Sequence, residues 1–369
     1  MARRVVIVGG GVVGLNAALA LAEGGFGGEV WLLEMEGHLG HHTSTRNSEV
    51  VHAGFAYPPG SLKAELCLEG NRLTYDLLSR LGVPFARSGK WIVAHGEGEA
   101  RALSAMMENA AACNVPGMRE ASPGELLRAC PALARPTAAA FSGSSGTMDC
   151  AGYIRALERA LSRFPNAEVV YPCRVEGIDA SRGIALTSRG EIPFDVLVNS
   201  AGLFCDEVYG MCGGGRRFEI RPCRGEYYSW RGGPVEGLVY PVPHRFLETG
   251  DAAKVSSMGV HLHSNMASER FVGPTEVMLP PERKTDYGIE ISAEEISSRV
   301  ARLLKSPPDP KKLSPAFAGN RPKLFEEGRP VGDFVILKEG PFVHLMGIES
   351  PGLTAAPAIA NHILPLVIS

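Results

Sequence analysis

Val5-Val6-Ile7-Val8-Gly9-Gly10-Gly11-Val12-Val13-Gly14 is the stretch whose reading decides the fold. Val5 to Val8 is short, apolar and β-branched, which predicts a strand buried on both faces of a parallel sheet. Gly9, Gly11 and Gly14 follow in the spacing G-x-G-x-x-G. The first permits a tight turn, the second lets the backbone approach a pyrophosphate, and the third lets a helix pack closely. Val12 to Glu23 has helical composition and stops at Gly24-Gly25, and Glu29 to Glu34 reads as a second strand. A helix starting at Val12 and Val13 aims free N–H groups and partial positive charge at a phosphate. Glu34 ends the second strand, 20 residues after Gly14. A carboxylate there accepts both ribose hydroxyls and repels a 2′-phosphate. Together these features predict an α/β, Rossmann-type dinucleotide site, without separating FAD from NAD.

The rest of the composition narrows the function class. With 369 residues, 45% of them apolar, the chain suffices for two domains of ordinary size. A net charge of −3 leaves no extended basic surface, so nucleic acid is not an expected partner. The eight cysteines form no C-x-x-C pair and no Cys/His zinc spacing, so no metal site is expected. Scattered thiols suit a reducing compartment and buried apolar positions. Arg3-Arg4 and Ala18-Leu19-Ala20 imitate the ends of a signal peptide. Gly9, Gly10, Gly11, Gly14 and Asn16 interrupt that apolar run where a phosphate loop needs them, so a cytoplasmic location is expected. No apolar stretch is long enough to span a bilayer, and peripheral contact with the inner face of a membrane stays open.

Further along, Ser61 is placed to cap a helix that runs to about Leu81 and ends at Gly82-Val83-Pro84. Lys90 to Ala94 reads as a strand, Arg101 to Ala112 as a helix, and Ala138 to Gly146 as a small-residue run. Gly152 to Phe164 has the pattern of an amphipathic helix. Ile220 to Val277, rich in tyrosine and proline with short strand patterns, predicts a mainly antiparallel sheet. Ser306 to Pro310 is a turn or linker. Phe342 to Met346 returns to strand, and a final helix is expected from about Ala355.

Three blocks carry a family resemblance: His42-Thr43-Ser44-Thr45-Arg46-Asn47-Ser48-Glu49-Val50-Val51-His52-Ala53-Gly54-Phe55-Ala56-Tyr57, Pro59-Gly60-Ser61-Leu62-Lys63-Ala64 and Gly89-Lys90-Trp91-Ile92-Val93-Ala94. It resumes at Asn199 to Leu203, Arg224 to Tyr228, Tyr240 to Pro243, Gly259 to His261, Gly319 to Pro322, Asp333 to Ile336 and Ser350 to Thr354. The chain resembles the L-2-hydroxyglutarate dehydrogenase/oxidase family of D-amino-acid-oxidase-like (DAO) FAD proteins. Two departures stand out: His244 to Met258 is longer than that family's segment, and Glu49 occupies a usually small position. The resemblance implies a discontinuous FAD-binding domain from residues 1–84, 149–220 and 320–369. An α+β substrate domain would take residues 85–148 and 221–319.

The resemblance also assigns roles. FAD would be held without a covalent bond by Gly9, Gly11, Val12, Val13, Gly14, Glu34, His42, Thr43, Ser44, Asn47, Ser48, Val175, Ala201, Gly202, Gly352, Leu353 and Thr354. The Thr43 to Ser48 hydroxyls and amide read otherwise as a solvated turn, and Thr354 as an N-cap. Free amides at the last helix start would stabilise charge on the flavin C2 carbonyl and N1. Arg321, otherwise a surface arginine before proline, would grip a substrate carboxylate through two parallel hydrogen bonds. Tyr240 would assist. His52 and His261 are the candidate proton acceptors, since a neutral imidazole suits removal of an alcohol proton. The implied reaction passes hydride from a small 2-hydroxy acid, L-2-hydroxyglutarate first, to flavin N5. Glycerol 3-phosphate, an amino acid or amine, or FAD binding without turnover are the rivals. The electron acceptor (oxygen, quinone or a soluble carrier) is open.

Overall fold

The computed structural model describes residues 3–247 and 259–368. The fingerprint strand lies inside a six-stranded sheet. Its spatial order is Val335–Glu339, Phe342–Met346, Val196–Asn199, Arg4–Val8, Glu29–Leu33 and Ala167–Val170. Neighbours run parallel except the antiparallel edge pair Val335–Glu339 and Phe342–Met346. Val5, Val6 and Ile7 are all fully buried, which is why this strand reads as an unbroken apolar run. The helix Val12–Glu23 follows, with Gly11 as its N-cap. A Cβ on Gly14 would overlap the Gly9 carbonyl oxygen and crowd Ser200 Oγ, so only glycine lets the helix sit this close.

The helix Leu62–Leu81 is capped as its sequence requires: Ser61 Oγ accepts the Ala64 N–H at 3.2 Å, and Gly82 ends it in a left-handed conformation. The last helix, Gly352–Ile368, packs against both Leu62–Leu81 and Val12–Glu23. Its alanines 355, 356 and 358 and Ile359 are fully buried in that contact. It begins three residues before the expected Ala355, so Thr354 lies in its first turn and does not cap it. Gly96–Ala112 and Cys150–Leu161 also start earlier than their patterns suggest. In the second case Asp149 supplies the cap, its Oδ1 accepting the Gly152 N–H at 2.7 Å.

A ten-stranded sheet forms the opposite wall. It runs Arg329–Pro330, Leu313–Glu326, Phe218–Trp230, Arg270–Gly273, His261–Ser264, Leu238–Pro241, Lys90–Ala94, Ala138–Ser142 and Met118–Ala121, with Val277–Met278 also paired to Phe218–Trp230. All pairs are antiparallel except Leu238–Pro241 with Lys90–Ala94. Phe218–Trp230 and Leu313–Glu326 pair along their full lengths, setting Arg321 opposite Cys223. The expected division points at 221 and 320 therefore fall inside two strands of one continuous ladder. Of the segment 244–258, His244–Phe246 is a short 3-10 turn, and residues 248–258 lie outside the described residues. No described helix is long and apolar enough to cross a membrane.

Candidate functional site

A cavity of about 1250 Å³ opens where the parallel strands end at Val8, Leu33 and Ser200 and extends to Tyr227, Tyr240 and Arg321 on the second sheet. Ligands of open α/β sheets bind at the carboxyl ends of the strands. Gly9, Gly11, Val12, Val13, Glu34, His42, Thr43, Ser44, Asn47, Ser48, Val175, Ala201, Gly202, Gly352 and Leu353 line it, as do His52, Tyr240, His261 and Arg321. Gly14 and Thr354 are not part of the lining. Gly14 serves packing. The Thr354 hydroxyl is turned to the neighbouring strand, where Oγ1 accepts the His52 N–H at 2.9 Å and lies 3.4 Å from Val50 O.

The dinucleotide end is built from backbone. The N-cap of Val12–Glu23 is Gly11, which supplies no side-chain cap of its own, and the first turn has no acidic residue to compete with a phosphate. Ser44 Oγ accepts the Val12 N–H at 2.9 Å, and a Cβ on Gly11 would stand 3.0 Å from that hydroxyl. Glu34 is buried, accepting the Gly10 N–H at 2.7 Å and the Glu36 N–H at 2.8 Å. Burial raises its pKa, and these backbone bonds counter part of the rise. Asn47 folds its own loop: Nδ2 donates to Thr43 O and Ser44 O at 3.0 and 2.8 Å, and Oδ1 accepts the Glu49 N–H at 2.8 Å. Thr43 Oγ1 donates to Asn320 O at 3.0 Å, tying this loop to the strand of Arg321. Both ring nitrogens of His42 are engaged, with Tyr287 OH at 2.6 Å and Glu36 Oε1 at 3.0 Å.

The other end of the cavity gathers the candidate chemistry. Arg321 lies 3.8 Å from the Cys223 thiol and makes no ion pair among the described residues. Two acids act on it without pairing: Glu276, which also lines the cavity, and Glu349, already held by Lys63 and Lys323, each at 2.8 Å. Burial pushes the Glu349 carboxyl up, but the two ammonium groups outweigh it and bring it to about 2. Tyr240 is buried and stacks on His261 with ring centroids 3.7 Å apart. His261 Nδ1 lies 3.1 Å from the Gly259 carbonyl oxygen, so Nδ1 carries the proton, and Nε2 faces Ser48 Oγ at 3.5 Å. Ser48 Oγ is in turn 2.8 Å from Tyr227 OH. His52 Nδ1 lies 3.3 Å from Lys90 Nζ, and its Nε2 makes no hydrogen bond among the described residues. Burial first, then the neighbouring Lys90 charge, hold His52 well below its usual pKa; burial and His263 do the same for His261.

Several of these residues gave no local signal. Lys63 and Glu349 are 286 positions apart and meet only through the last helix start. Lys90 sits in a strand pattern that shows neither its full burial nor its neighbour. Arg245 also lines the cavity, donating only to Ala56 O at 3.4 Å and Asn109 Oδ1 at 3.3 Å among the described residues.

Residues 4–364 match the family described as FAD dependent oxidoreductase (DAO). The chain belongs to this FAD-dependent oxidoreductase family. The cofactor is FAD, and the protein is an oxidoreductase. The chain is 32% identical to L-2-hydroxyglutarate dehydrogenase, mitochondrial, of Arabidopsis thaliana, across 97% of this chain and 82% of that one. It is 29% identical to L-2-hydroxyglutarate dehydrogenase of Escherichia coli K12, across 98% and 92%. Dithionite-reduced L-alpha-glycerophosphate oxidase from Mycoplasma pneumoniae, with FAD bound, superposes with a TM-score of 0.83. That structure is 25% identical, covering 100% of this chain and 95% of its own. The resemblance read from the sequence is borne out, and so is the fold class. The helix start free of acidic residues, the bare Gly11 backbone and the buried Glu34 suit the phosphates and ribose of FAD.

Proposed function

We propose that this protein oxidises a small 2-hydroxy acid to the 2-oxo acid, with L-2-hydroxyglutarate the first substrate to test. The observation that carries this reading is the placement in one cavity of Arg321, a guanidinium without an ion-pair partner among the described residues, and His52, whose Nε2 is likewise unengaged. FAD, when bound, takes up the electron pair and hydrogen released from the carbinol carbon. Arg321 grips the 1-carboxylate and fixes its plane, and the Tyr240 ring bounds that end of the cavity. His52 Nε2 accepts the hydroxyl proton. His261 takes a supporting role, since both its nitrogens already face protein partners. Arg245 provides a second cation for the distal carboxylate of a dicarboxylic substrate.

At the other end, Glu34 holds the adenosine ribose, Val13 presents its amide to the pyrophosphate beside Val12, whose own N–H is held by Ser44 Oγ, and Val175 contacts adenine through its backbone. Ala201 and Gly202 allow close approach at the strand end, while Gly352 and Leu353 present the last helix start to the flavin. The six-stranded sheet thus serves the cofactor and the ten-stranded sheet the substrate. FAD is held without a covalent bond, and both ring nitrogens of His42 are taken by Tyr287 and Glu36. The seven buried thiols fit a cytoplasmic setting, with contact at the inner face of a membrane if the electron acceptor is a quinone. Anaerobic mixing of the FAD-loaded protein with 2-hydroxy acids, glycerol 3-phosphate and amino acids tests the reading. Loss of flavin colour with hydroxy acids supports it; loss with glycerol 3-phosphate or amino acids alone overturns it.

A further inference from the structure

Lys90 is fully buried, yet it has no carboxylate partner among the described residues. A long cationic side chain is rarely taken out of water without one. Its Nζ lies 4.2 Å from the Tyr240 ring centroid and 5.6 Å from that of Phe55, so aromatic faces supply part of the missing solvation. Among the described residues, the one hydrogen-bonding contact of its Nζ is His52 Nδ1, at 3.3 Å. The titratable groups around it are His52 on its loop, Cys67 on Leu62–Leu81, Tyr240 on the flanking strand, and His261 beyond that ring. The other flanking strand, Ala138–Ser142, carries none. Burial keeps the Cys67 thiol protonated, raising it to about 12.

We infer that Lys90 is a positioning residue for His52, its buried amine deciding which imidazole nitrogen offers a proton to the cavity and which a lone pair. The inference rests on the proposed role of His52 as proton acceptor. As an ammonium, Lys90 donates to Nδ1; the proton of the neutral imidazole then sits on Nε2, and the cavity meets a donor. As a free amine, Nζ accepts from Nδ1–H, and the Nε2 lone pair faces the substrate hydroxyl. In that state the substrate O–H bond breaks as Nε2–H forms, and the Nδ1–H bond breaks as Nζ–H forms. The proton ends on Lys90 and the imidazole stays neutral; the carbinol hydrogen leaves together with its electron pair, which FAD would accept when bound. Burial lowers the Lys90 amine to about 7, so both states are populated near neutral pH.

The test is the pH dependence of flavin reduction in the FAD-loaded protein, Lys90→Met and Lys90→Arg, under anaerobic rapid mixing. The parent should speed up by at least about tenfold between pH 6 and 8.5, the size of one protonation step across its pKa. Lys90→Met should lose that limb, and Lys90→Arg, permanently charged, should be slower still and flat. Lys90→Met should also melt higher than the parent below pH 7 and converge with it toward pH 10, because it removes a buried charge. Parental rate and profile in both variants would overturn the inference. A second arm uses the unsubstituted holoenzyme labelled with 15N-histidine, His52 being assigned by its loss in His52→Asn. Nε2–H at pH 6 giving way to Nδ1–H at pH 9 supports the inference, and a fixed tautomer sinks it. This arm needs no substrate, so a failed hydroxy-acid reading leaves it decisive.

Discussion

Arg321→Met is the perturbation that joins the fold most directly to the chemistry. The guanidinium projects from the strand Leu313–Glu326, where pairing with Phe218–Trp230 fixes its backbone, and Gly225 leaves the space it fills: a Cβ there would stand 3.3 Å from Nη2. Its partner is a thiol at 3.8 Å, and the nearby Glu349 is already satisfied by two lysines. A substrate carboxylate therefore meets a cation with no ion-pair partner among the described residues, in a cavity that Glu276 also lines. Hydrogen bonds to charged groups contribute about 1.5 to 3 kcal/mol, which is roughly ten- to 150-fold in rate or affinity. Methionine keeps the apolar stem and removes the charge, so FAD content should be unchanged while flavin reduction slows by that factor. Arg321→Lys should recover only part of the loss, because one ammonium cannot reproduce a planar two-point grip. Rapid mixing with the best 2-hydroxy acid, monitored at the flavin band, isolates the step from any acceptor. Parental rate and affinity in Arg321→Met would remove Arg321 from the site.

Three further outcomes follow from the cavity. Glu34→Ala should lower FAD affinity while molecules that stay loaded reduce at the parental rate, as measured by flavin release on dilution; equal occupancy would take Glu34 out of the ribose site. Arg245→Met should raise KM for a dicarboxylic 2-hydroxy acid at least about tenfold and leave a monocarboxylic analogue nearly unchanged; equal effects on both would deny it the distal carboxylate. Glu349→Gln leaves the buried Lys63 ammonium facing a neutral amide and should cost about 3 to 5 kcal/mol in denaturant unfolding. Because the Glu349 pKa is depressed to about 2, the parent holds this stability above the usual carboxylate value of about 4.5 and loses it as pH falls toward 2. The gap between parent and variant should close over that range.

Much of the cofactor end was legible because its signals are local. Val5 to Glu34 carries strand, turn, helix and acid in one run, and the structure keeps Val12–Glu23 with the bounds its composition suggests. Ser61 and Gly82 likewise mark their helix ends by side-chain and backbone chemistry that acts within a few residues. The substrate end was legible only through resemblance. Arg321 gains meaning from a ladder with residues 218–230, Lys90 from a loop 38 positions earlier, and Glu349 from a lysine 286 positions away. Hydrophobic period says nothing of such partners. Thr354 shows the opposite limit: its hydroxyl near a helix start reads as a cap, yet its bonds go to His52 N–H and Val50 O on the neighbouring chain segment. Asn47, placed among the cofactor contacts, uses its amide to shape the loop that carries them.

The most direct measurement is a single anaerobic turnover of the FAD-loaded protein with L-2-hydroxyglutarate, quantifying reduced flavin and 2-oxoglutarate in the same sample. The expected result is one 2-oxo acid formed per flavin reduced, with no comparable reduction by glycerol 3-phosphate or by amino acids. Flavin that stays oxidised with every 2-hydroxy acid, but is reduced by one of those other substrates, would contradict the proposed reaction.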